Sequence, residues 1–155
     1  MALSGVPRTN VWVDRALKIA READQWLQRL VDAVNRAPLS VGSTSIENAS
    51  ATTSTTAIPT PTLVDGLYRV SYSLRITQAA TVSSSATPTI GWTSGGVSCS
   101  QSGAALTGNT TATQQNAAFV INVDASTTIT YAVAYASVGA TAMTYSFDVI
   151  AEALP

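Results

Sequence analysis

A chain of 155 residues, 46% of them hydrophobic and only 11% charged, is long enough for one cored domain plus an appendage, and its frequent β-branched and aromatic residues exclude a disordered tail. A net charge of −1 removes any global electrostatic case for nucleic acid as a partner. The absence of histidine excludes Ser-His-Asp and Cys-His catalysis and the usual Cys/His zinc sites, and a single cysteine, Cys99, excludes an intrachain disulfide framework.

Charged residues make up roughly 25% of an ordinary protein, so the surface here must be built largely from Ser, Thr, Ala, Asn and Gln. What charge there is divides unevenly. Up to Ala37 six basic residues (Arg8, Arg15, Lys18, Arg21, Arg29, Arg36) meet four acidic ones (Asp14, Glu22, Asp24, Asp32). Beyond it, Arg69 and Arg75 meet Glu47, Asp65, Asp124, Asp148 and Glu152. Met1 to Asn10 holds no apolar run of signal-peptide type, which predicts synthesis in a cytoplasm without an export signal. No apolar run approaches the ~18 residues of a membrane span, so no membrane partner is expected.

The first element is predicted over Val11 to Ala37. Thr9 and Asn10 are candidate N-caps, and Pro38 ends the helix because proline cannot continue it. Apolar residues recur at Val13, Ala16, Ala20, Ala23, Leu27, Leu30, Val34 and Ala37, spaced alternately three and four apart. That is a heptad seam with Val13, Ala20, Leu27 and Val34 at a. Trp12, Ile19, Trp26 and Ala33 fall at g, and Leu17 and Val31 at e, which widens the face beyond a two-stranded stripe. Three helices or a larger docking surface would cover it better. Asp14–Lys18 and Asp32–Arg36 are i,i+4 pairs on the solvated side. The competing expectation is a helix that packs on its own β domain. The g-position tryptophans, Trp12 and Trp26, favour an anchor in another protein over a free stalk.

Ser40 to Thr62 is rich in Ser, Thr and Ala, with Pro59 and Pro61 near its end, and is expected to be an extended connector. Its Thr52 to Ile58 part is a candidate first edge strand. After it, period-two alternation takes over. Tyr68, Val70, Tyr72, Leu74 and Ile76 share one face of Leu67 to Thr77. Thr87 to Trp92 is a second strand with Ile90 and Trp92 on one side. Thr93-Ser94-Gly95-Gly96 turns the chain into Val97 to Ser102, and Gly108-Asn109 is another turn. Phe119, Ile121 and Val123 alternate, as do Ile129, Tyr131, Val133 and Tyr135. Met143, Tyr145, Phe147 and Val149 close the series after a turn at Val138-Gly139-Ala140. Short strands at 8–12-residue spacing argue for an antiparallel sandwich. Tyr131, Tyr135 and Tyr145 are either core or subunit interface. Cys99 is expected as a buried small hydrophobe, and Trp92 is assigned no binding role.

Gly66-Leu67-Tyr68-Arg69-Val70-Ser71-Tyr72-Ser73-Leu74-Arg75-Ile76-Thr77, Thr89-Ile90-Gly91-Trp92-Thr93 and Thr141 to Glu152 together resemble a domain of tailed-phage virion proteins, found in fibres, spikes and small head- or tail-associated proteins. The domain is similar in outline to the trimeric jelly rolls of the complement and tumour-necrosis-factor type, in which a strand beginning Gly-x-Tyr opens the main sheet. The resemblance spans about two thirds of the chain, from near Thr52 to the end. It implies a structural scaffold without a chemistry of its own, a homotrimer, residence in the virion, and contact with capsid, portal or tail proteins.

The expected architecture is therefore mainly β: an N-terminal amphipathic coiled-coil helix over 1–38, a connector over 39–62, and a β-sandwich (jelly-roll) knob over 63–155. Trp12, Val13, Ala16, Ala20, Ala23, Trp26, Leu27, Leu30 and Val34 are the candidate trimerisation or docking residues. A fibre, spike or decoration protein is the first functional expectation. A receptor-binding module for host-surface glycan or protein is the second, with Thr93, Ser94, Gly95, Gly96, Gly108 and Asn109 in its candidate tip loops. An enzyme is not expected, and neither is a cofactor or metal. No phosphate-binding loop, dinucleotide fingerprint or EF-hand is present. Asp148 and Glu152 share a strand face about 13 Å apart at ~3.3 Å per residue, too far for glycoside hydrolysis, and are expected to be two solvated charges.

Overall fold

The computed structural model of the chain describes residues 11–36 and 38–155, with the side chains of 11–14, 16, 33, 35 and 36 outside that description. The chain divides into two compact units, 1–37 and 38–155. The first contains one helix, α1, Val11–Arg36. The candidate caps Thr9 and Asn10, and Ala37 at the other end, lie outside the described residues. Among the described residues no helix is long and apolar enough to cross a membrane.

The second unit is a sandwich of two antiparallel sheets built from β1 (Leu39–Ala49), β2 (Thr53–Ala57), β3 (Gly66–Gln78), β4 (Ser83–Ser94), β5 (Val97–Ser102), β6 (Gln114–Val123), β7 (Thr130–Val138) and β8 (Thr144–Ala153). The sheet orders are β1-β8-β3-β6 and β2-β7-β4-β5. First strand pairs with last, second with seventh, third with sixth and fourth with fifth. One long hairpin has in effect been rolled so that its pairs alternate between the sheets.

The period-two pattern explains the central strands. Tyr68, Val70, Tyr72, Leu74 and Ile76 of β3 are all buried, while Arg69, Ser71, Ser73 and Arg75 face outward. Tyr145, Phe147, Val149 and Ala151 do the same on β8. Phe147 joins the layers: its ring lies 5.7 Å from that of Tyr72 in its own sheet and 5.7 Å from that of Tyr131 in the other. Tyr131 and Tyr145 are core residues, whereas Tyr135 is half-buried, its ring 6.0 Å from that of Tyr145. The Tyr145 hydroxyl donates to the Ala51 carbonyl at 2.9 Å and lies 2.8 Å from the Thr53 hydroxyl. No buried side-chain polar atom among the described residues lacks a partner, as a dry core requires.

Two expectations are corrected here. Ser40 to Thr62 is not a connector with one strand; it holds both β1 and β2. β1 hides its pattern because register breaks between Ser40 and Gly42 and between Ile46 and Ala49 interrupt the alternation. Only Val41, Ile46 and Ala49 of β1 reach the core. Gly42 is required where it sits, since a Cβ there would collide with the Pro59 carbonyl. Cys99 is half-buried rather than buried. It stands opposite Trp92 across the β4–β5 ladder, on an edge strand where the core thins out.

Candidate functional site

α1 carries a run of exposed apolar side chains. Leu17, Ile19, Trp26, Leu27, Leu30, Val31 and Val34 are all exposed, Trp26 at 63% and Val34 at 66%. Ala20 and Ala23 continue the same seam toward the front of the helix and are exposed too. Trp12, Val13 and Ala16 belong to α1, but their side chains lie outside the described residues. The opposite side is polar: Lys18 and Glu22 form an exposed ion pair at 3.9 Å, and Gln28 donates to Asp32 at 3.3 Å. Both contacts are worth only tenths of a kcal/mol. The expected pairs Asp14–Lys18 and Asp32–Arg36 involve side chains outside the description. Twenty-six residues at ~1.5 Å each make a rod of about 39 Å, carrying an apolar stripe along its length.

The candidate tip loops do not come together. β3 runs from Gly66 to Gln78, and its pairing with β6 and β8 sets Val123 and Ala153 at the Gly66 end. Leu39, where the sandwich begins, is also there, opposite Ala153. The turn at Gly95-Gly96 is tied to this end, because the Asp124 amide just past β6 donates to the Thr93 carbonyl at 3.0 Å. Asn109 lies at the other end, where its carboxamide accepts from the Ala80 amide at 2.9 Å and the Ser84 hydroxyl at 2.6 Å, and donates to the Ala80 carbonyl at 3.1 Å. The two loops therefore cannot form one recognition surface.

Their polar groups are also occupied. Gly95 and Gly96 both have positive φ, 59° and 75°, as a two-residue hairpin requires. Both of their amides donate to the Asp124 carboxylate, at 2.8 and 2.7 Å. Asn122 adds a contact to the Ser94 hydroxyl at 3.3 Å. Gly108 packs so closely on Thr113 that no Cβ would fit. Asn109 is a latch between loops, held at φ 46°. Sequence reasoning saw the turn chemistry and missed Asp124, whose partners lie 29 and 28 residues away.

On the outer face of the β1-β8-β3-β6 sheet is an open depression of about 680 Å³, floored by Ser43, Ser45, Ser71, Ser73, Asn116 and Ala118. Asp148 is the charged residue in its lining, and the neighbouring charged groups of this sheet are engaged as well. Glu152 accepts from Arg69 Nε at 2.8 Å and Nη2 at 2.7 Å, so it is half-buried and paired, not a solvated charge. Ser45 stands between two carboxylates, donating to Asp148 at 2.5 Å with its hydroxyl 3.4 Å from Glu47, and Ser146 donates to Glu47 at 2.9 Å. Glu47 arrives on β1, the strand that composition concealed. Two carboxylates joined by serine hydroxyls supply neither a nucleophile activated by a base nor a cation cage. Among the described residues no group of three His, Cys, Asp or Glu side chains is placed to hold a metal ion.

The perturbed ionisable groups belong to the core. Burial pushes the Tyr72 hydroxyl above its ordinary value. Burial also raises that of Tyr145, against the lowering effect of the Thr53 hydrogen bond. The Tyr72 hydroxyl lies 3.1 Å from the Gln115 carboxamide, and that of Tyr145 is engaged by Ala51 and Thr53. In comparison with known proteins, the sequence matches no family model and no curated protein.

Proposed function

We propose that this chain is a structural protein of a tailed-bacteriophage virion, a homotrimer held or anchored through α1 with the sandwich projecting as a knob. The observation that carries the assembly part is the contrast in burial: the sandwich covers its own apolar face, and α1 leaves Leu17, Ile19, Trp26, Leu27, Leu30, Val31 and Val34 exposed. Covering seven such side chains at ~1.5–3 kcal/mol each supplies on the order of 10 kcal/mol per chain before ordering costs. A face spread over g, a, d and e fits three helices better than two. The strand order supports reading the sandwich as a jelly roll, an architecture common in capsid and lectin domains. The assignment to phage rests on the resemblance of the Gly66 to Thr77 and Thr141 to Glu152 segments. A fibre, spike or decoration role fits a domain whose loops are latched.

Recognition of a host-surface receptor is the weaker alternative, because the Gly95-Gly96 amides and the Asn109 carboxamide are already engaged inside the fold. Sedimentation equilibrium of the whole chain tests the assembly reading. A trimeric or larger mass is expected, and a monomer at all concentrations would defeat it. The anchor reading is tested in particles assembled with a chain lacking 1–38. Loss of the protein from the particle is expected, and normal incorporation would move the anchor to the sandwich.

A further inference from the structure

Each sheet of the sandwich ends in two strands, and the four edges are not alike. β1 breaks register twice and carries Glu47. β2 has five residues and a register break, and β5 has six residues. Short length, bulges and charge are the devices that keep an edge from pairing with another chain. β6 has none of them. Its ten residues, Gln114 to Val123, pair with β3 without a break and include no charged residue and no proline. Every second residue of an edge strand turns its N–H and C=O away from the neighbour. Among the described residues no strand pairs with that side of β6.

A second observation points to the same edge. Ile121 and Val123, at the end of β6, are buried, but Ala117 and Phe119 on the same inward face are only partly covered, though they pack on the core. Phe119 has an aromatic neighbour on one side, Tyr72 at 5.9 Å. On the outward face Val120 is 63% exposed. Backbone and apolar surface are thus both unfinished along one line.

We propose that β6 pairs antiparallel with β6 of a second copy about a two-fold axis, joining two four-stranded sheets into one. The occupant follows from the chemistry of the strand. A strand with no charge meets itself without like-charge repulsion, and it offers nothing complementary to a charged strand of another protein. A two-fold axis through Phe119 is isologous and keeps both inward faces on the same side. It sets Phe119 against its mate, Ala117 against Ile121, Ala118 against Val120 and Asn116 against Asn122. Apolar residues then meet apolar ones, and carboxamides meet carboxamides. This pairing does not rest on α1: whatever number of chains the helix holds, the edge doubles it.

The test uses the full chain with Ala118→Lys and Val120→Lys together. Both positions are exposed on the outward face, so the single fold tolerates them, while across the axis each lysine would face another. The sedimenting mass is expected to fall about twofold, with the chain still folding cooperatively and its melting temperature no longer rising with protein concentration. In the parent chain, amide exchange along Gln114 to Val123 should slow as protein concentration rises, and that dependence should vanish in the double-lysine chain. Exchange independent of concentration, or an unchanged mass in the double-lysine chain, would overturn the proposal. So would protection that appears only when an unrelated extended peptide is added. Helix variants separate the two assembly readings: a chain with Leu27→Asp and Leu30→Asp should remain paired through β6, and adding the lysines should bring it to a single chain. If that helix variant were already a single chain, edge pairing would fall and helix association would stand.

Discussion

The helix and the sandwich use equally regular hydrophobic patterns and end in opposite states. In β3, period two puts Tyr68, Val70, Tyr72, Leu74 and Ile76 on one face, and a second sheet of the same chain covers them all. In α1, alternating steps of three and four put Leu27, Leu30 and Val34 on one stripe, and all three stay exposed. The difference lies in where the complementary surface comes from. A hairpin rolled into two sheets supplies its own, because every strand pair brings another apolar face. α1 is the one helix among the described residues, so its own unit supplies no second helix to cover that stripe.

The largest expected effect breaks that contrast on the helix side. Leu27→Asp with Leu30→Asp removes two apolar anchors worth about 1.5–3 kcal/mol each and places like charges along the seam. Helix-mediated association measured by sedimentation should be lost, while denaturation of the sandwich stays as in the parent. A parallel fall in sandwich stability would show that α1 is part of its core. On the sheet side, Phe147→Ala should cost about 3–5 kcal/mol in chemical denaturation, because it empties the position that joins Tyr72 to Tyr131. Chain association through α1 should persist in conditions where this variant remains folded.

How legible each part was follows from the same contrast. Strands with strict alternation and large apolar residues, such as β3 and β8, announce themselves, because their side-chain period and their burial agree. β1 does not. Its Ser, Thr and Gly composition resembles a connector, two register breaks disrupt its period, and its pairing with β8 involves residues about a hundred positions away. Missing β1 also concealed Glu47 beside Asp148 and thus the serine-linked carboxylates. The turn at Gly95 and Gly96 was readable, whereas the turn expected at Gly108-Asn109 falls at Thr111 and Ala112 instead. That Asp124 straps the first and that Asn109 is a latch depends on long-range contacts that no local pattern encodes. The extent of α1 was legible from its periodicity and from Pro38, since a helix has local determinants.

A smaller effect sharpens the view that the loops are fastened from within. Asp124→Ala removes the acceptor of two backbone amides at a turn where both residues hold positive φ. A cost of about 1.5–3 kcal/mol is expected from the charge-assisted bonds, together with faster exchange of the Gly95 and Gly96 amides. Unchanged exchange would mean that the turn holds without its strap.

Alkaline pH probes the core through Tyr145. Its hydroxyl in the folded protein titrates above the ordinary 10.0, because burial disfavours the phenolate. The unfolded chain therefore releases its proton first. The contribution is fully present below about pH 10 and is lost as pH rises toward the folded value. Stability should fall over that window, and Tyr145→Phe, which cannot ionise, should flatten its share of the fall. The same variant loses the contacts to Ala51 and Thr53 and should be less stable at neutral pH. A parent chain equally stable at pH 8 and pH 11 would contradict the assignment of these tyrosines to the core.

The smallest expected effect concerns the outside of the sandwich. Arg69 and Glu152 are the one ion pair of the second unit among the described residues, with side chains 41% and 19% exposed. Two guanidinium nitrogens converge on a single carboxylate oxygen, so the second oxygen is not used and the geometry falls short of a fork. An attraction this exposed is screened by water and salt and offset by the ordering of two long side chains. A double-mutant cycle with Arg69→Ala and Glu152→Ala should give a coupling of about 0.5–1 kcal/mol, shrinking further in high salt. A coupling well above that, insensitive to salt, would mean that the outer face of this sheet is covered in the assembled protein. The depression floored by Ser71 and Ala118 would then be part of a buried interface rather than open surface.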